Sequence, residues 1–551
     1  MNTCLRTDML TDQYLPDPIC PSDSHLTHQN IAGRLCLMKI LLIGVLVFGP
    51  FLFPGRSYAV ADTSALNLLH QALEAQGGEQ KLRSLKSVQW EASGYRNELE
   101  QSERPEGPYI TDFLSVSEVH DLAGNRFRNV TDTSVYPFYK SSAVLVVNGK
   151  VAMRSVGTQL LAGTPQQVQI TQERVALSPE RLLLTALDAP DTRRDPDAVL
   201  QSVPQNVVFF TLDGAPVHVY LNAYTHLPTA VDYSGPLAHS SYWAFLGDVT
   251  LRTWYGSWWL AKDGIHFPMQ RNIEGNGLPD QTLIIRKLQI GEALNEADLT
   301  IDANVRAQFH PDAKPADLEQ RPLGDPSQPA KELEPGIVFI PGSWNVTLVK
   351  QDDGIVVLEA PISSGYSAQV IAEVHKRFPN QPIKAVVTTS DSWPHLAGIR
   401  EYVADGIPIY ALDLNEPILN RVIAGSRTSK PDALGRSPRK QQFDLVHDKK
   451  VLGTGANRLE IYPIHGETSE RQMMVYFPQY KLLYGSDPFQ RRQDGSFFYP
   501  QTVTELMDAV AREHLNVDRF FMMHIGPTPW SDLAKAIAVA EKQDTPSGIL
   551  E

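Results

Sequence analysis

The chain has 551 residues, 42% hydrophobic and 20% charged, a balance that suits more than one soluble globular domain with a sizeable core. Its formal net charge of -14 excludes the basic surface that nonspecific nucleic-acid binding needs, so no nucleic-acid partner is expected. The three cysteines, Cys4, Cys20 and Cys36, all stand near the N-terminus. Residues 1–37 read neither as a folded domain nor as a targeting signal. Met38-Lys39 then opens a positive start, an apolar run from Ile40 to Phe53 broken by Pro50, and a small-residue site at Ala59-Val60-Ala61. That run is short for a membrane span and fits a signal peptide over 38–61, cleaved after Ala61. Met38 is then the expected natural start and 1–37 a gene-model extension. The expected mature chain is exported, periplasmic in a Gram-negative source, and has no stable membrane span. Without cysteine it has no disulfide and no thiolate metal ligand.

Residues 62–309 carry the first domain. Leu66, Leu69 and Leu73 fall on one face of a helix that stops at Gly77-Gly78. Val88, Trp90, Ala92 and Gly94 alternate as in a strand, and hairpin signals follow at Asn148-Gly149, Asp213-Gly214 and Asp263-Gly264. A mainly antiparallel β domain with helices results. The pattern of Leu68–Gly78 followed by Leu82, Leu85 and Val88 resembles the start of bacterial lipoprotein-carrier-like domains. That resemblance implies a half-barrel with an apolar groove for a lipid or a greasy peptide. The other reading is that Trp243, Trp254, Trp258 and Trp259 fill an ordinary core, the commoner use of apolar strand faces.

Prolines at 311, 315, 322, 326 and 329 make 310–331 a Pro-rich linker. From 332 to 551 the pattern changes. Gly336–Pro341, Val346–Lys350 and Gly354–Ala360 read as strands, and Val370, Ile371, Val374 and Phe378 as one helix face. Strands then alternate with helices. Ser426–Lys450 is a polar excursion that includes Arg427, Lys430, Arg436, Arg439 and Lys440, read as a solvated loop or a basic rim for an anionic substrate.

Four motifs carry the chemistry. Ala385-Val386-Val387-Thr388 leads into Thr389-Ser390-Asp391-Ser392-Trp393-Pro394-His395-Leu396-Ala397-Gly398, which opens a helical pattern. His465 follows Ile461-Tyr462-Pro463-Ile464; Asp487 follows Leu482-Leu483-Tyr484-Gly485-Ser486; His524 follows Phe520-Phe521-Met522-Met523. Each candidate follows a short apolar run, and side chains at strand ends converge on one rim of a sheet. The four segments, in this order, resemble the metallo-β-lactamase superfamily, whose signature at the first is H-x-H-x-D-H-x-G-G. Against it, His395 and Gly398 match, Ser390 and Ser392 stand for the first two histidines, Pro394 for the aspartate and Ala397 for a glycine. A one-residue shift would bring Asp391 to the second histidine's place but spoils the match from His395 to Gly398.

The resemblance implies an α+β multidomain chain that ends in an αβ/βα metallo-β-lactamase-like sandwich. It implies metal ligands at His395, His465, Asp487 and His524, with His465 and Asp487 in catalytic roles. Serine hydroxyls are neutral, weak donors and proline offers none, so the site is degenerate and the implied cofactor is a single divalent metal. Zinc is the first choice, iron or manganese also suit the donors, and none binds if the histidines are hydrogen-bonded remnants. The function read from this is a metal-dependent hydrolase-like protein acting on an ester, thioester, lactam or phosphoester. The rival is a non-catalytic periplasmic binding protein for a hydrophobic or envelope-derived ligand, and a third reading is a structural partner in an envelope complex. No G-x-S-x-G elbow, H-E-x-x-H, P-loop, EF-hand or dinucleotide fingerprint occurs.

Overall fold

The computed structural model describes residues 62–99, 107–135, 139–235, 243–489 and 500–540. The expected signal peptide and extension, residues 1–61, with all three cysteines, lie outside the described residues. Among the described residues no helix is long and apolar enough to cross a membrane.

The N-terminal half is one thirteen-stranded antiparallel sheet. From Ser87–Asn97, five strands meander outward to an edge at Gln159–Ala162. The chain then crosses through helices Pro165–Ala176 and Leu182–Asp188 to the opposite edge, Arg193–Leu200. It meanders back until Leu278–Ile290 pairs with the first strand, Trp90 opposite Leu288. Asp213-Gly214 forms a two-residue turn with both φ positive, 48° and 84°, as its sequence anticipates. Helix Thr63–Gln76 is capped by Asp62 and buries Leu69 and Leu73 against Leu182, Phe210, Val217 and Val219.

The face of this sheet that meets helix Pro165–Ala176 carries charge as well as apolar groups. His120 is buried between Glu118 at 3.0 Å and Glu180 at 2.5 Å, and Arg174 reaches Glu118 at 3.1 Å. The tryptophans divide. Trp258 packs on the domain core, Trp259 is 64% exposed, and Trp243 leaves the sheet altogether. Ser257, at φ 52°, breaks the strand's alternation just before Trp258 and Trp259. A single core filled by all four is therefore not what forms.

The C-terminal half has two sheets. A seven-stranded sheet runs from Lys331–Glu334 to Phe443–Val446, and a six-stranded sheet from Lys450–Leu452 to Thr528–Pro529. Between them lie Val356, Leu358, Ala385, Val387, Ile461, Val475, Phe477 and Phe521. Helices Ser364–Arg377, Ile399–Asp405 and Glu416–Ala424 cover the outer face of the first sheet. Helices Pro500–Arg512 and Trp530–Ala540 cover the second. The order of layers is α, β, β, α. Because both faces of each sheet are covered, strands such as Gly354–Leu358 and Met473–Phe477 are buried at every residue and read as unbroken apolar runs.

The Pro-rich stretch is bound to this half. The Gln369 side chain donates to Arg321 O at 2.8 Å and accepts from Leu323 N at 3.1 Å, and Glu319 accepts from Gly365 N at 2.6 Å. The excursion after Ser426 is not a solvated rim at its start, since Arg427 is 6% exposed.

Candidate functional site

Three strand ends meet at one rim of the sandwich. Strands Leu482–Gly485 and Arg519–Met522 are parallel neighbours, so their C-terminal ends deliver Asp487 and His524 side by side. His395 arrives from the other sheet, on the one-turn helix Trp393–Leu396 after strand Ile383–Val387. Ligand atoms of His395, Asp487 and His524 lie within 4.8 Å of one another, among the described residues the one such group that could hold a metal.

Asp487 is the centre. His395 Nε2 is 2.8 Å from its Oδ2, and His524 Nε2 is 3.4 Å from its Oδ1. The rings stand 5.4 Å apart, nearly perpendicular at 81°. Burial alone would raise the Asp487 carboxyl; the neighbouring His395 charge, with hydrogen bonds from His395 and His524, instead holds it well below the usual carboxylate range.

Each imidazole is fixed at its other nitrogen. His524 Nδ1 is 2.7 Å from Ser343 O; a carbonyl only accepts, so Nδ1 donates to it and Nε2 is the nitrogen that faces Asp487. Trp344 packs against the same ring with centroids 6.0 Å apart. His395 Nδ1 is hydrogen-bonded to the buried hydroxyl of Ser486. A hydroxyl can donate or accept, so Ser486 suits either tautomer of His395. Such partners orient metal-ligating histidines and set which nitrogen is free.

The donor set fits one divalent ion. Donors on a tetrahedral zinc stand about 3.4 Å apart, given bonds of about 2.1 Å. The His524–Asp487 separation of 3.4 Å meets that spacing, and the His395–Asp487 contact of 2.8 Å would open by about 0.6 Å. A second ion finds little here. Ser390 accepts from Ser392 N at 3.1 Å, and both serines are buried.

His465 does not join the group. It is exposed, in left-handed backbone at φ 57°. The residues after it bind elsewhere: Glu505 accepts from the backbone N–H of Glu467, Thr468 and Ser469 at 2.9–3.1 Å. The loop is thereby fastened to helix Pro500–Arg512.

Sequence reasoning missed Glu359. It ends the apolar strand Gly354–Leu358 at φ 70°, fully buried, and accepts from Thr389 N at 3.1 Å and Thr389 Oγ1 at 2.5 Å. Burial pushes its carboxyl up to about 8; the bonds from Thr389 oppose this and the Asp487 charge adds to it. An acid closing a fully apolar strand was the signal that could have found it. Ser343 acts through a backbone oxygen, which leaves no mark in side-chain identity.

No family model and no curated protein matches the chain. Solved structures do. Similar ones include the metallo-β-lactamase from Pontibacter korlensis, at 16% identity and a TM-score of 0.31, over 39% of this chain and 99% of that one. DIM-1 metallo-β-lactamase is similar at 16% identity and 0.31, over 38% and 96%. The stereoselective inverting sec-alkylsulfatase Pisa1 from Pseudomonas sp. is similar at 16% and 0.29, over 39% of this chain but only 40% of its own length.

Proposed function

We propose that the C-terminal half is a metal-dependent hydrolase-like domain that holds one divalent ion, zinc by preference, at His395, Asp487 and His524. The observation that carries this reading is the convergence of two imidazole Nε2 atoms on one carboxylate at an edge of the sandwich. Two imidazoles and a carboxylate with open positions form a catalytic rather than a closed structural donor set. Bound there, the ion would make a coordinated water more acidic and polarise a carbonyl or phosphoryl oxygen. The chain's own part is to hold the geometry. Ser343 O and Ser486 fix the two rings, and Asp487 keeps its negative charge between them. The substrate class is an ester, thioester, lactam or phosphoester. Export through the 38–61 signal to a periplasm belongs to the same proposal and rests on the sequence pattern.

The test is a panel of chromogenic substrates, one of each class, offered to the full chain before and after chelation and after zinc is restored. At least one should be turned over in a zinc-dependent way, with activity falling at least about a hundredfold in Asp487→Asn. Turnover that survives chelation, or that Asp487→Asn leaves intact, would remove the rim from the reaction. Failure to turn over any class would leave the hydrolase reading without support.

A further inference from the structure

Helix Trp393–Leu396, which carries His395, is a single turn. One turn does not hold itself, so its neighbours decide where it sits. On one side those neighbours belong to its own domain: Ala360 N donates to His395 O at 3.0 Å and Ile362 N to Pro394 O at 2.8 Å. On another side it packs against Trp243–Leu246, a short helix in the connection between strands Pro228–Tyr233 and Leu251–Leu260 of the N-terminal sheet. Phe245 and Leu246 of that turn share one core with Leu396, Ile399, Tyr402 and Val422. Phe245 is fully buried there, about 150 residues before Leu396 in the chain.

The inserted turn is clasped. Arg427 donates to Trp243 O and, at 2.9 Å, to Ala244 O, while its guanidinium lies 4.7 Å from the Trp243 ring centre. Asp248 accepts from Thr428 N at 2.5 Å, Thr428 Oγ1 at 2.6 Å and Ser426 Oγ at 3.0 Å, and from Ser429. Its own N–H donates to Ser426 O at 2.6 Å. Gly247, at φ 81°, lets the two backbones close: a Cβ there would stand 2.1 Å from Ser426 O. So many fixed contacts make this a built junction rather than a tether between two halves.

We infer that Phe245 is a positioning residue for His395, so that the N-terminal domain completes the rim of the C-terminal one. This rests on the reading of His395 as a metal ligand. A ligand set must be held to a fraction of an ångström, and the layer behind it commonly governs affinity by ten- to a hundredfold. Emptying the Phe245 site removes packing from the side of the His395 turn that meets the N-terminal domain.

The experiment uses the full chain, with zinc as probe, in wild type, Phe245→Ala and Phe210→Ala. Phe210 is fully buried in the N-terminal core and serves as a control for lost stability alone. Zinc affinity is read by competition with a chromophoric chelator, well below each variant's unfolding temperature. Hydrogen exchange of the 393–398 amides is read without metal. Phe245→Ala should bind zinc about tenfold or more weakly and exchange faster over 393–398, while Phe210→Ala does neither. Equal affinity and equal exchange in Phe245→Ala and wild type would overturn the inference, as would the same losses in both variants. If Phe245→Ala does not fold, Asp248→Ala loosens the same clasp and is expected to shift both readouts in the same direction. Wild type that binds no zinc would sink the metal reading instead, and the exchange measurement would still decide the coupling.

Discussion

The two halves bury the same chemical groups in opposite proportions. In the N-terminal sheet one imidazole, His120, lies between two carboxylates, Glu118 and Glu180. At the C-terminal rim one carboxylate, Asp487, lies between two imidazoles, His395 and His524. His120 spends both ring nitrogens on carboxylates, so it has no lone pair to offer. His395 and His524 each spend only Nδ1 on a neutral oxygen and turn Nε2 to the shared aspartate. The first arrangement is a closed ion pair that ties strand Thr111–Asp121 to the helical crossover. The second leaves donors that a cation can take over. Counting histidines and carboxylates cannot separate the two; which nitrogen is already used does.

The contrast should show most in pH dependence. Burial works against charge on His120, but the Glu180 carboxylate foremost, with Glu118, raises it to about 9. Because the folded value lies above the unfolded one of about 6.5, the stabilisation is complete below about pH 6.5. It is lost as pH climbs through about 9. Unfolding of the full chain followed from pH 6 to pH 9.5 should reveal a loss of up to about 3 kcal/mol, flattened in His120→Gln. Zinc binding at the rim should instead strengthen over the same range, since protons compete for its ligands. Parallel trends at both places would erase the distinction.

A smaller effect probes the rim's supporting layer. Ser486→Ala removes the hydroxyl partner of His395 Nδ1 in a site that is fully buried. Zinc affinity should fall by roughly tenfold, measured by chelator competition, with the fold retained. An unchanged affinity would mean that the turn Trp393–Leu396 alone orients the ring.

Much of the C-terminal architecture was legible because covered sheets demand unbroken apolar strands, and such runs stand out in the sequence. The same runs marked Asp487 and His524 as strand-end residues and His395 as lying in the segment after a strand. They marked His465 equally well, and there the signal could not tell where the chain turns next. That depends on Glu505, about forty residues later, gathering the loop's N–H groups. The Trp243–Leu246 turn was illegible for a related reason. An apolar stretch looks alike whether it fills its own domain or a neighbouring one, and only Gly247 and Asp248 mark the place where two backbones lock. The buried charges of the N-terminal sheet were likewise hidden, because alternation predicts which face a residue occupies and not what it meets there.

Metal content of the purified full chain after equilibration with zinc, measured by mass spectrometry, addresses the central claim most directly. One zinc per chain is predicted, falling to none in Asp487→Asn and in His524→Ala. An empty wild type, two ions per chain, or one ion retained in both variants would contradict it.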